Sequence, residues 1–281
     1  MRTITSQKGL TLIELMITVV LSMVVVYFVM NIMITSSRTS MQSEGLAQAQ
    51  ENGRFILSWL HTETRRAGYI PGIVEERIQP FADICTTELP RPPAAGAACT
   101  FESSDVSDRL AIQRTFISDS PTLRDRTDCT GIDLTGTQND GDILTDVYWV
   151  ERDFNPGGGV ATDDAYDDVL RCVTYFNNNT VAPAQVIASG IEGLHVLYGI
   201  RPNQDDQRRT NIHRYVSLSD VAPVDWDSVR SARIAILTRS FSDTTLANDT
   251  RSYILLDADP ATFTDRIARH IQSTTVYLPN E

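Results

Sequence analysis

Few side chains in this sequence are spaced to do chemistry, and the first of them is Glu14. It is the only charged residue between positions 10 and 34, which read LTLIELMITVVLSMVVVYFVMNIMI. A carboxylate at the centre of a membrane helix costs about 2.5–3.5 kcal/mol on insertion scales, and less near the edge. Ionisable groups within a membrane usually have a partner. The alternative is an interfacial acid within reach of lipid headgroups. The next reactive set is four cysteines, Cys85, Cys99, Cys129 and Cys172. Their spacing fits no C-x-x-C zinc or redox motif, whereas an even number of scattered cysteines suits two disulfides in an oxidising compartment. Three connectivities are open. Cys85–Cys99, closing CTTELPRPPAAGAAC, together with Cys129–Cys172 is the favoured pair; the alternative is buried free thiols in a cytosolic protein.

Metal or acid–base chemistry has little to stand on. Asp163, Asp164, Asp167 and Asp168 form the one cluster that could offer a cation several oxygens, but calcium needs six to eight. We read it as a solvated acidic loop, and expect no metal and no cofactor. GTQNDGDILTD is also acidic but lacks the EF-hand order. His61, His195, His213 and His270 are scattered, and His195 sits in a strand-like stretch as a structural histidine. There is no G-x-S-x-G, P-loop or dinucleotide fingerprint, so no enzyme activity is expected. Lys8 is the only lysine, which leaves none for a Schiff base in the body of the chain. With 36 acidic against 24 basic residues, the net charge of −12 argues against nucleic acid as a partner.

These residues must be positioned by two kinds of element. About 20 apolar residues span a bilayer, so 10–34 is long enough, and no A-x-A-like site follows it. Arg2 and Lys8 precede the run, predicting a cytoplasmic N-terminus and an exported remainder. No proline occurs before Pro71. Leu46, Ala49, Gly53, Ile56 and Leu60 continue a helical stripe, and Arg65, Arg66 and Gly68 supply a stop. A helix over 10–67 would be about 87 Å long, with Gly45 and Gly53 as its weak points. Beyond Gly68 the pattern becomes short strands, at 109–116, 142–150, 169–176, 194–200, 232–240 and 274–278, several alternating as if one face met a core. The expected fold is α+β, with the long helix packed on an antiparallel sheet.

KGLTLIEL resembles the class III signal of type IV prepilins and type II secretion pseudopilins. That resemblance implies cleavage between Gly9 and Leu10 by a prepilin peptidase on the cytoplasmic face, then N-methylation of Leu10. Leu10 departs from the family's usual phenylalanine. Glu14 falls at the fifth mature place, where the resemblance implies that it docks on the new ammonium of a neighbouring subunit. QENGRFILSWLHTETRRAGYIPG further resembles PilW-type minor pilins, with support from DRLAIQRTF, LRCVTYF, SGIEGLHVLYGI and TTVYLPNE. The layout implied is a leader at 1–9, a transmembrane or filament-core half-helix at 10–34, an amphipathic half at 35–67 and a β-rich periplasmic head at 68–281. The implied role is priming or tip assembly of a type IV pilus. The implied partners are the peptidase/methyltransferase, other minor and major pilins, an inner-membrane assembly platform, a tip adhesin and membrane lipid. The protein would first sit in the bacterial inner membrane and then at the cell surface. A type II secretion minor pseudopilin of the J type is the nearest rival, and a membrane-anchored exported binding protein the next. Chain length, the AGY segment and the expected disulfides favour the pilus.

Overall fold

The computed structural model describes residues 9, 11–69, 78–85, 92, 94–103, 107–152, 168–201, 212–221 and 226–279. It divides into two compact units after Glu44. In the first, helix α1 (Leu12–Thr64) begins with apolar side chains that are exposed on every side of the helix as far as Ile34. Its polar side chains bond backwards to helix carbonyls: Thr18 to Leu15, Ser22 to Val19, Asn31 to Tyr27 and Thr35 to Asn31. A helix that satisfies both backbone and hydroxyl groups internally is suited to a medium without water. By length and composition it can cross a membrane.

The second unit starts at Gly45. Its first sheet comprises β1 (Arg109–Thr115), β2 (Ile143–Glu151) and β3 (Val169–Phe176) in that order, with β4 (Asn179–Thr180) and β5 (Gln185–Ser189) both on β3. A short helix, α2 (Leu123–Arg126), lies between β1 and β2 in sequence. The second sheet has the order β11 (Ile267–Tyr277), β8 (Val229–Asp243), β6 (Ile191–Ile200), β7 (Arg214–Val216). A separate hairpin pairs β9 (Asp249–Tyr253) with β10 (Ala261–Asp265). All of these strand pairings are antiparallel.

The alternating strands predicted one buried face, yet β6 and β8 are buried on both. The reason lies in β8. Ile234 and Ile236 share the main core with Ile56 and Leu60 of α1, while Ala235 and Leu237 join Leu255 and Ala258 of the β9–β10 connection. Helix and hairpin thus cover opposite faces of one sheet, and each fully buried Ile or Leu contributes about 1.5–3 kcal/mol.

The helical stripe also needs correction at two places. Leu46 is 39% exposed, and Gly45 is the residue that faces the sheet. A Cβ at Gly45 would collide with Thr244 and lie 3.3 Å from Ser240 Cβ; one at Gly53 would lie 2.8 Å from Gln272 Nε2. The two glycines, expected as weak points of the helix, are places where it approaches the sheet closely. Between them, Thr238 Oγ1 donates to the Ala49 carbonyl (3.0 Å) and Gln272 Nε2 to the Gln50 carbonyl (2.8 Å). After Thr64 the chain turns, with Gly68 at φ 72° donating its amide to the Gln113 carbonyl of β1.

Of the three connectivities open to four cysteines, the structure contains Cys85–Cys99 and Cys129–Cys172, with Cα atoms 5.4 and 6.4 Å apart.

Candidate assembly site at the start of the helix

Gly9 is exposed, and Leu10 lies outside the described residues. The next four positions form a closed local unit. The Thr11 amide and hydroxyl both donate to Glu14 Oε2, at 3.1 and 2.9 Å, and the Glu14 amide approaches Thr11 Oγ1 at 3.4 Å. The Leu15 amide donates to the Thr11 carbonyl (3.2 Å), which opens the helix. This is a capping box, in which N-cap and third helical residue satisfy each other's unpaired amides. Thr11-Leu12-Ile13-Glu14 carries its T-x-x-E signature, a signal that reading Glu14 only as a charge overlooks. All three side-chain bonds fall on Thr11 Oγ1 and Glu14 Oε2, so Oε1 has no partner among the described residues. Glu14 therefore has a local structural role that uses one of its two carboxylate oxygens.

The other residues singled out by sequence are not gathered at this place. Asp163, Asp164 and Asp167 lie outside the described residues. Asp168 departs from the expected solvated loop: it is 6% exposed and pairs with Arg239 Nη1 at 2.8 Å. In the second acidic stretch, Asp140 accepts from the Ser118 amide and Asp142 from the Asn139 amide, while Asp146 is buried against Arg114 at 2.5 Å. Among the described residues no cluster of three or more His, Cys, Asp and Glu could hold a metal ion.

His195 is 2% exposed on β6. Its Nε2 lies 2.6 Å from Asp257 Oδ1 in the β9–β10 connection, and its Nδ1 lies 2.8 Å from Asp108 Oδ2, off the ring N–H axis. Burial pushes its pKa down, but the two carboxylates outweigh burial and hold it at about 9. Asp108 is fixed in turn by accepting the Ser103 and Val196 amides. A second buried group joins the same hairpin to the sheet. Arg269 makes a bidentate pair with Glu192 (2.5 and 2.9 Å), contacts Asp265 at 2.6 Å and stacks 3.8 Å from the Phe263 ring. Burial raises the Glu192 carboxyl while Arg269 pulls it back. These ion pairs tie the hairpin to the sheet, and Asp265 and Arg269 also line a small cavity with Phe263 and Arg251.

Three comparisons bear on this geometry. Residues 148–280 match a family model described as Type IV Pilus-assembly protein W, and residues 4–26 match the Prokaryotic N-terminal methylation motif. No curated protein matches. Among solved structures the chain is similar to the type IV-like pilin TTHA1219 from Thermus thermophilus, at 14% identity and a TM-score of 0.45, over 82% of this chain and 95% of that one; so distant a likeness carries no argument. The methylation motif spans Gly9, Thr11 and Glu14, and the larger match spans β3 to β11. On these two matches, the chain is similar to prepilin-like proteins of the PilW type.

Proposed function

We propose that this minor pilin of the type IV pilus acts in priming or at the tip of the filament. The prepilin peptidase cuts between Gly9 and Leu10, and the same enzyme methylates the new amine of Leu10. Before assembly, Leu10 and the apolar start of α1 lie in the inner membrane, with the head in the periplasm. Removing the leader takes two basic residues with it, leaving 22 against 36 acidic side chains. The resulting side-chain charge of −14 steers the head toward basic or arginine-bearing neighbours. Other pilins, the inner-membrane assembly platform and a tip adhesin are its partners.

The observation that carries this reading is the split duty of Glu14. Oε2 is taken by Thr11, and Oε1 points to no group of its own chain among the described residues. In apolar surroundings an unpaired carboxylate is costly and a close ammonium is a strong partner. The methylated amine of a neighbouring subunit supplies that ammonium. Glu14→Gln tests the idea, because glutamine also serves in a capping box but lacks the charge. We expect Glu14→Gln to be processed normally, to keep the helix start and to be lost from sheared filaments. Wild-type incorporation of this variant would refute the docking role.

A further inference from the structure

β11 is the edge of the second sheet. It pairs with β8 and with no other strand among the described residues. The Leu278 amide donates to the Arg230 carbonyl at 2.9 Å. In an antiparallel ladder the bonded pairs recur at every second residue, so His270, Gln272, Thr274 and Val276 turn their amides and carbonyls toward β8. Ile271, Ser273, Thr275 and Tyr277 turn theirs outward. Ser273, Thr275 and Tyr277 are exposed. The outward row is about 20 Å long at 3.4 Å per residue.

Natural proteins guard such edges with lysine, proline, bulges or an inward charge, or by covering them. From His270 to Tyr277 none of these guards is present among the described residues, and the register with β8 is regular; the one irregularity falls between Ile267 and Arg269. The other sheet treats its β1 edge differently, with Phe81 bridging Ile112 and Phe101 bridging Arg109. Beside the β11 edge runs an open groove lined by Ala47, Gln50, Glu51 and Arg54 of α1 and by His270 and Gln272 of β11. A strand laid along β11 would therefore place one row of side chains over amide, guanidinium, carboxylate and imidazole groups. The other row would lie beside Ile271, Ser273 and Thr275.

We infer that β11 accepts a β-strand from a different pilus subunit, which adds to the second sheet as a fifth strand with polar side chains over the α1 wall of the groove. The inference rests on the pilin reading above. One observation chooses this occupant over a second copy: the side-chain charge of −14 left after removal of the leader sets two copies against each other. One wall of the groove belongs to α1, the element through which neighbouring pilins meet in the proposed filament, so a strand from a packed neighbour is within reach.

Proline distinguishes an outward from an inward amide, since it is tolerated on an edge where the N–H faces solvent. The experiment uses the full chain in detergent, alone and co-expressed with the other pilins of its own assembly system. Hydrogen exchange at the outward amides of Ile271, Ser273, Thr275 and Tyr277 should be fast in the isolated chain and slowed at least tenfold in the co-purified complex. Thr275→Pro should reduce recovery of the complex at least tenfold with the melting temperature held within a few degrees, and Thr275→Val should leave recovery unchanged. A complex that forms equally with folded Thr275→Pro overturns the inference and leaves the pilin reading intact, as does fast exchange that persists in the complex. Slowed exchange that depends on the concentration of the isolated chain overturns it in favour of a second copy. A wild-type chain that retains Met1 beside active peptidase and binds none of these pilins overturns both.

Discussion

His195 should make the stability of the head fall at alkaline pH, and the structure gives the size. The imidazole is 2% exposed and lies between Asp108, just before β1, and Asp257, in the β9–β10 connection. Its pKa stands at about 9 against an ordinary 6.5. A folded-state value above the unfolded one contributes stability that is complete below pH 6.5 and is lost as pH rises through 9. Each pH unit between the two values is worth 1.36 kcal/mol, an upper figure of about 3 kcal/mol. Asp257 is 47% exposed, and solvent screening of that half of the arrangement trims the expectation to about 1–2 kcal/mol. Thermal unfolding of the full chain in detergent, from pH 6 to pH 10, measures it for wild type, His195→Gln and Asp257→Asn. Wild type should lose about 2–4 °C per kcal/mol for a chain of this size between pH 7 and pH 10, over and above any loss in His195→Gln. Asp257→Asn should move the loss to lower pH. Parallel profiles for wild type and His195→Gln would refute the reasoning.

Further expectations follow from packing and cross-links. Gly45→Val places a branched side chain against Thr244 and Ser240 and should destabilise the head by about 1–3 kcal/mol, whereas Leu46→Ala, at a half-exposed neighbour, should cost less; chemical denaturation of the two variants compares them. Removing Cys129–Cys172, which closes 43 residues, should cost about 4 kcal/mol on the chain-entropy account, and removing Cys85–Cys99, which closes 14, about 3 kcal/mol. Serine pairs at each bridge, unfolded side by side, check that order.

What could be read from sequence was whatever depended on neighbours in the chain. The apolar run, the glutamate five places after Gly9, the absence of an early proline and the stop at Arg65, Arg66 and Gly68 are local, and α1 follows them from Leu12 to Thr64. The strands with long apolar content, such as 169–176 and 232–240, lie within β3 and β8. The hairpin of β9 and β10 escaped notice because DTRSY and ATFTD are polar and mostly half-exposed or exposed; its connection, not its strands, supplies the buried Leu255 and Ala258. The buried ion pairs were equally hidden. Arg114–Asp146, Arg239–Asp168 and Arg269–Glu192 join residues 32, 71 and 77 positions apart, and singly each reads as a surface charge. Asp168 shows the cost: in sequence it ends an acidic loop, and in the fold it neutralises a buried arginine. Glu14 shows the opposite case: reading it only as a charge that meets another subunit misses Thr11, three residues away, which holds one of its two oxygens.

The N-terminus of the chain recovered from membranes, made with and without an active prepilin peptidase, bears most directly on the account. Intact-mass measurement should find a chain beginning at Leu10 and heavier by one methyl group when the peptidase is present, and one beginning at Met1 when it is absent. A chain that still begins at Met1 beside active peptidase would contradict the assignment of Gly9, Leu10 and Glu14, and with it the pilin function.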